Sequence, residues 1–196
     1  MWRTPAADTD PNPLLPASLM RQLTAAFTGP GTHVVDLTGG LLADAVTGRA
    51  VHVGVFDDGD ITIPAGSPEP GSVALVAVAW PPPNTSAAQR GEATATLLYA
   101  ARRWLATDGV LVLLAGNPPG QPPADYGPLV AAAAAAGLGY LQHIAAVRTP
   151  VIGAHITTPQ DPSAWTFGGA LDDVVIHLGV HADVFAFAAR DGGRHG

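Results

Sequence analysis

Asp36 closes a short apolar strand, His33-Val34-Val35-Asp36-Leu37, and Thr38, Gly39 and Gly40 follow at once. A carboxylate at a strand end can hold a hydroxyl or an amine of a ligand, and glycines behind it let the backbone approach that ligand closely. Nucleotide-type cofactor sites begin this way. An ordinary strand-to-turn junction uses the same residue types, and both uses stand open at this point. Trp80-Pro81-Pro82-Pro83-Asn84 also follows an apolar strand, and loops after strand ends are where open α/β folds bind ligands. Its prolines are pre-ordered and tryptophan is a common interface anchor, so a rigid loop read by a protein partner is a second use. Asn117 to Pro123 forms another proline-rich loop.

Two further groups carry less. Asp57, Asp58 and Asp60 cluster around Gly59 but lack the terminal glutamate of a calcium loop, which points to a solvated turn. His177 and His181 on one strand face would stand about 13 Å apart. A turn near Gly179 would bring them closer, to be joined by Asp172 or Asp183, but no helical His-Glu-x-x-His pattern exists, and no metal is expected. Gly-x-Ser-x-Gly and Gly-x-x-x-x-Gly-Lys are both missing, which removes hydrolase elbows and phosphate loops.

The elements that must position these residues come from a chain of 196 residues, enough for one domain with a full core. Apolar residues make up 47% and charged ones 13%, but the apolar runs are short and broken by Gly and Pro, so no membrane span is expected. Met1-Trp2-Arg3-Thr4-Pro5 has one basic residue and no apolar stretch behind it; no secretory leader is expected, and the cytoplasm is the expected compartment. There is no cysteine, which excludes disulfides, thiolate metal sites and cysteine nucleophiles. All nine basic residues are arginine, a codon signature resembling GC-rich actinobacterial genomes. The net charge of −7 disfavours DNA as a partner, because such binding draws on neutralising phosphates, and Arg102-Arg103 is the sole local basic pair.

Residues 1–13 read as a flexible arm, 14–190 as one domain and 191–196 as a disordered tail. Leu19, Met20, Leu23 and Phe27 recur at helical spacing. Strand 33–37, a helix over 41–46 and strand 50–56 follow. Alternatively, 51–56 and 61–63 form a hairpin around Asp58-Gly59. After strand 72–79, Ser86 is placed to cap a helix running to Leu105, and Asp108-Gly109 turns the chain into strand 110–114. A helix over 129–136 and strands 140–148, 173–178 and 183–188 complete the pattern. Strands and helices alternate and then two strands follow each other, which predicts a mostly parallel sheet with an antiparallel C-terminal hairpin.

A helix feeding Pro30-Gly31-Thr32-His33-Val34-Val35-Asp36 resembles class I S-adenosylmethionine-dependent methyltransferases, more narrowly the actinobacterial DNA-modification methylases that act on exocyclic base amines. Val53-Gly54-Val55-Phe56-Asp57 is similar to their second acid-ended strand. Trp80-Pro81-Pro82-Pro83-Asn84 stands where they carry Asp, Asn or Ser, then Pro-Pro and an aromatic. Ala134 to Ala146 resembles their late helix and strand, and His181-Ala182-Asp183-Val184-Phe185-Ala186-Phe187 their closing strand. The likeness runs in order from about residue 17 to 190. It implies a three-layer Rossmann-like α/β fold and S-adenosylmethionine as cofactor. It implies Asp36, Thr38, Gly39, Gly40 and Asp57 at the cofactor, and Trp80, Pro81, Pro82 and Asn84 at the base pocket.

The departures bear on activity. Gly39-Gly40 runs straight into Leu41-Leu42, where the family has a further glycine, and the third strand and its preceding helix are expected to be reduced to a loop. In the family, a side-chain oxygen and the adjoining proline carbonyl accept hydrogen bonds from the target amine, and the aromatic stacks on the flipped base. Keeping Pro81-Pro82 in register puts Trp80 in the acceptor place, and an indole offers a donor alone. Sliding by one puts Pro81 there and Asn84 in the aromatic place. The resemblance thus implies a DNA base-amine methyltransferase by ancestry with impaired catalysis. The alternative is an inactive homologue serving as an interaction or regulatory module, as a homodimer or with another protein.

Overall fold

The computed structural model describes residues 2–3, 17–64, 66–81, 86, 88–115, 125–147, 151–152, 155–156 and 181–190. The first half of the chain gives β1 (Trp2–Arg3), α1 (Ala17–Phe27), β2 (His33–Leu37), α2 (Leu41–Ala45), β3 (Ala50–Val53), β4 (Val55–Asp57) and β5 (Asp60–Thr62). The second half gives β6 (Val73–Trp80), α3 (Arg90–Trp104), β7 (Leu105–Ala115), α4 (Gly127–Ala135), β8 (Leu138–Val147), β9 (Val151–Ile152), β10 (His155–Ile156) and β11 (His181–Ala189).

Seven strands form the main sheet in the order β1-β8-β11-β7-β6-β2-β3. β3, β2, β6 and β7 pair in parallel, while β11 inserts antiparallel between β7 and β8. Side chains alternate strictly between two cores. Val34, Leu75, Ala77, Val112, Leu114, Val184 and Ala186 pack with Leu19, Met20 and Leu23 of α1 and Leu42 of α2. Val35, Val76, Val78, Leu111, Leu113, Phe185 and Phe187 pack with Leu97 and Leu98 of α3 and Leu129 and Ala133 of α4. From Val110 to Ala115 β7 reads as an unbroken apolar run because both of its faces are covered there. This is the expected three-layer α/β fold, mostly parallel, with an antiparallel C-terminal strand.

Several boundaries differ from expectation. The strand expected over 50–56 breaks at Gly54, so the single strand and the hairpin are both realised: β3 pairs with β2, and β4 turns through Asp58-Gly59 into β5. The hairpin lies on the α3 side, with Ile61, Phe56 and Ile63 packed into that core and Asp60 paired with Arg103 at 3.3 Å. Among the described residues β3 is the edge of the main sheet, with no third strand beyond it. Ser86 does not cap α3: its hydroxyl engages Gln89 in a separate turn, and α3 starts at Arg90. Asp108-Gly109 is not a turn before the strand but an irregularity within β7, which already pairs at Leu105 with Val73. A Cβ on Gly109 would stand 2.7 Å from the Val73 carbonyl oxygen, so glycine permits the strands to close there. Trp2–Arg3, inside the stretch read as an arm, lie parallel to β8 at Ala146 and Val147. The strand expected over 173–178 lies outside the described residues, as does the tail.

Candidate functional site

Asp36 is fully buried at the carboxyl end of β2. Its Oδ1 accepts hydrogen bonds from the Thr38 backbone N–H at 2.8 Å and the Thr38 hydroxyl at 2.5 Å. Its Oδ2 accepts from the backbone N–H groups of Leu42 at 3.0 Å and Ala43 at 2.8 Å. A carboxylate has about four acceptor sites, and four donors fill these. Burying the charge is therefore compensated locally. Asp36 thus moulds the turn between β2 and α2, and its oxygens face protein donors.

That turn is open on its other side. Gly39 and Gly40 have φ of +81° and +94°, a conformation that side chains rarely adopt, and a Cβ on either would meet nothing within 4 Å. With open space at both glycines, a ligand can approach the backbone there closely. On β6, Val78 pairs with Leu37, so Ala79 and Trp80 carry that strand two residues further along the same edge. Trp80 in turn pairs with Ala115, and Ala115 with Asp183, making one row across β6, β7 and β11.

The half-buried Trp80 indole donates its N–H to the Thr94 hydroxyl of α3 at 3.0 Å, and Thr94 is buried. Its ring lies 6.3 Å from that of Tyr126. The Trp80-Pro81 peptide is cis. Pro82 and Asn84 lie outside the described residues. The structure thus brings Asp36, Thr38, Gly39 and Gly40 together and sets Trp80 and Pro81 on the adjoining strand. Asp57 is placed elsewhere: it follows the end of β3 by four residues and pairs with Asp60 across the hairpin, exposed. The residues that follow Val53 at the strand end are Gly54 and Val55, and Val53 and Val55 are both exposed.

A polar cluster that the sequence did not reveal lies further along the row. Asp183 is buried, and its carboxylate accepts from the Tyr126 hydroxyl at 2.9 Å and sits 2.7 Å from His143 Nε2. The His143 ring stacks on Phe185 at 4.4 Å. An acid heading an apolar strand was the available signal, but its partners are set by the pairing of β11 with β8. Asp183 on β11 is three strand spacings from β2 and His143 on β8 four, about 14 and 19 Å, so this cluster is not part of the glycine turn. Among the described residues no group of three or more metal-ligating side chains converges, and the side chains of His177 and His181 are outside them. On the opposite side of the sheet edge, His33 Nδ1 and His52 Nε2 stand 3.0 Å apart. Burial, and then the charge of His33, pulls the His52 pKa below its usual value.

No protein-family model and no curated protein matches this chain. Solved structures do. TrmN from Thermus thermophilus superposes with a TM-score of 0.51 at 16% identity, over 94% of this chain and 51% of that one. A geranyl diphosphate methyltransferase in complex with SAM gives 0.51 at 13% identity, over 89% of this chain and 86% of that one. The fold is that of the S-adenosylmethionine-dependent methyltransferases. At such identities the methyltransferase fold is what is shared, and this chain spans about half the length of TrmN. In this methyltransferase fold the glycine turn occupies the carboxyl edge of the sheet, where open α/β folds bind their ligands. Among the described residues no helix is long and apolar enough to cross a membrane.

Proposed function

We propose that the chain binds S-adenosylmethionine at the Gly39-Gly40 turn, and that it descends from cytoplasmic DNA base-amine methyltransferases whose catalytic motif it no longer completes. The observation that carries the cofactor is the open pair of glycines in a turn whose flanking residues, Thr38, Leu42 and Ala43, are tied to Asp36. Gly39 and Gly40 would hold the ligand through their backbone, while Asp36 and Thr38 fix the turn. A bound S-adenosylmethionine supplies an electrophilic methyl group. The adenosine side of the site is reduced, because Asp57 is on the hairpin and Gly54 and Val55 follow the strand instead.

Impaired transfer rests on Trp80. Its single polar atom is a donor, engaged by Thr94, so the side chain cannot accept the hydrogen bond that orients an amine. DNA is a weak fit as well. Arg102 is turned to the carbonyls of Leu105 and Arg190, and the exposed Arg103 has Asp60 beside it, so the local basic pair is partly offset within the protein. The indole is also clamped between α3 and Tyr126, which argues against Trp80 as a free anchor for a protein partner.

Calorimetric titration with S-adenosylmethionine and S-adenosylhomocysteine tests the first part. Micromolar binding lost in Gly39→Val, with the far-ultraviolet spectrum retained, is expected; no heat at millimolar ligand refutes it. Transfer of labelled methyl groups to DNA tests the second, and robust transfer would refute impairment.

A further inference from the structure

β3 is an edge strand, and among the described residues its sheet neighbour is β2 alone, through a ladder from His33 and Ala50 to Asp36 and Val53. Side chains in register on parallel strands share a face. Val35 pairs with His52, and His33 is two residues before Val35, so both imidazoles stand on one side of the sheet. Their rings are 5.2 Å apart between centroids, with Nδ1 of His33 3.0 Å from Nε2 of His52. A hydrogen bond between two imidazole nitrogens requires one N–H and one lone pair. The neutral pair satisfies this with a single bridging proton. The singly charged pair also does, in a stronger charge-assisted form. When both rings are protonated, two N–H groups and two positive charges face each other, and the bond cannot exist.

We propose that the His33–His52 pair is a proton-operated latch on the edge strand, closed while at least one ring is neutral and released when both are charged in weak acid. Release has a route to the glycine turn. The Gly54 N–H, directly after β3, donates to the Asp36 carbonyl at 2.9 Å, so β3 braces the residue that moulds that turn. The charge acting on His52 is that of His33. The nearby hairpin carries Asp60, which is paired with Arg103, and Asp57 and Asp58, which are exposed. The lowered affinity of His52 for a proton accords with a closed latch near neutral pH.

Amide hydrogen exchange followed by mass spectrometry, with rates corrected for the intrinsic effect of pH, tests this without any ligand. Its outcome is therefore independent of whether the chain binds S-adenosylmethionine. From pH 7.5 to 5.5 the protection of residues 50–54, relative to β7, is expected to fall about fivefold or more in the wild type and to stay level in His52→Gln. Protection that stays parallel to β7 in the wild type, or that falls equally in the variant, overturns the latch. The ring nitrogens give a second measurement on the unaltered protein. Two coupled titration steps support the pair as a unit, and two independent single-step curves refute it.

Discussion

Asp36 shows how a residue can be found in the sequence while the direction of its action is not. Its position at a strand end, before glycines, fits a ligand-handling acid and an ordinary strand-to-turn junction alike. The structure spends all four hydrogen bonds on Thr38, Leu42 and Ala43. No spacing rule distinguishes the two uses, because the strand-turn-helix geometry that feeds backbone N–H groups to the carboxylate exists only after folding. Asp36→Ala should therefore destabilise the fold, leaving buried donors unpaired at about 1–3 kcal/mol each, or about 3 kcal/mol in total after partial relaxation. Urea denaturation gives the number. A loss under 1 kcal/mol would return Asp36 to a role toward ligand. Trp80 was legible in a different way, since its lack of an acceptor follows from the indole itself, whereas its clamping by Thr94 and Tyr126 required the packing of α3 and of the approach to α4.

At the scale of elements, periodicity located α1, β2, β6 and α4 closely, since each has one clear apolar stripe or run. It misjudged β7, where Asp108-Gly109 carries the chemistry of a turn and the strand runs through it. Tertiary pairing with Val73 overrode the local signal, which is why Gly109 matters. Gly109→Ala should cost about 1–3 kcal/mol, because the Val73 carbonyl leaves no room; thermal denaturation indistinguishable from wild type would contradict the close approach. The β2–β3 pair gives a pH effect. The folded pKa of His52 is lowered, so the unfolded chain binds the proton first as pH falls. Its contribution to stability is then full above about pH 6.5, the ordinary histidine value, and is lost as pH falls from there toward the folded value. The slope of stability against pH below 6.5 should flatten in His52→Gln, and an unchanged slope would assign the acid sensitivity to other groups.

For the whole molecule, the alternation of elements sufficed for the layer architecture, and the loss of the third strand was visible as a stretch with no room for a helix. The sheet order was less accessible. That β11 enters between β7 and β8 depends on pairing between residues about 35 to 80 positions apart in sequence, which no local pattern encodes. The placement of Asp57 on the hairpin, away from the end of β3, was likewise not encoded in any local pattern. A ligand that binds the native state alone raises stability by about 2.7 kcal/mol at one hundred times its Kd. In a chain of this length that corresponds to a rise in Tm of about 5–10 °C. Differential scanning fluorimetry with saturating S-adenosylhomocysteine measures it, and a flat response would remove the glycine turn as a nucleoside-ligand site.

The position of β11 also sets an order of events during synthesis. Among the described residues β8 is held in the main sheet by β11 on one side and the two-residue β1 on the other. While residues 181–189 are still within the ribosome, β7 and β8 have no strand between them, and their facing edges carry unpaired backbone groups. The half of the sheet from β3 to β7 can form as its strands emerge, but the other half must wait. A nascent chain arrested shortly after residue 147 has emerged should therefore expose an open strand edge, the form of partly folded protein that chaperones engage.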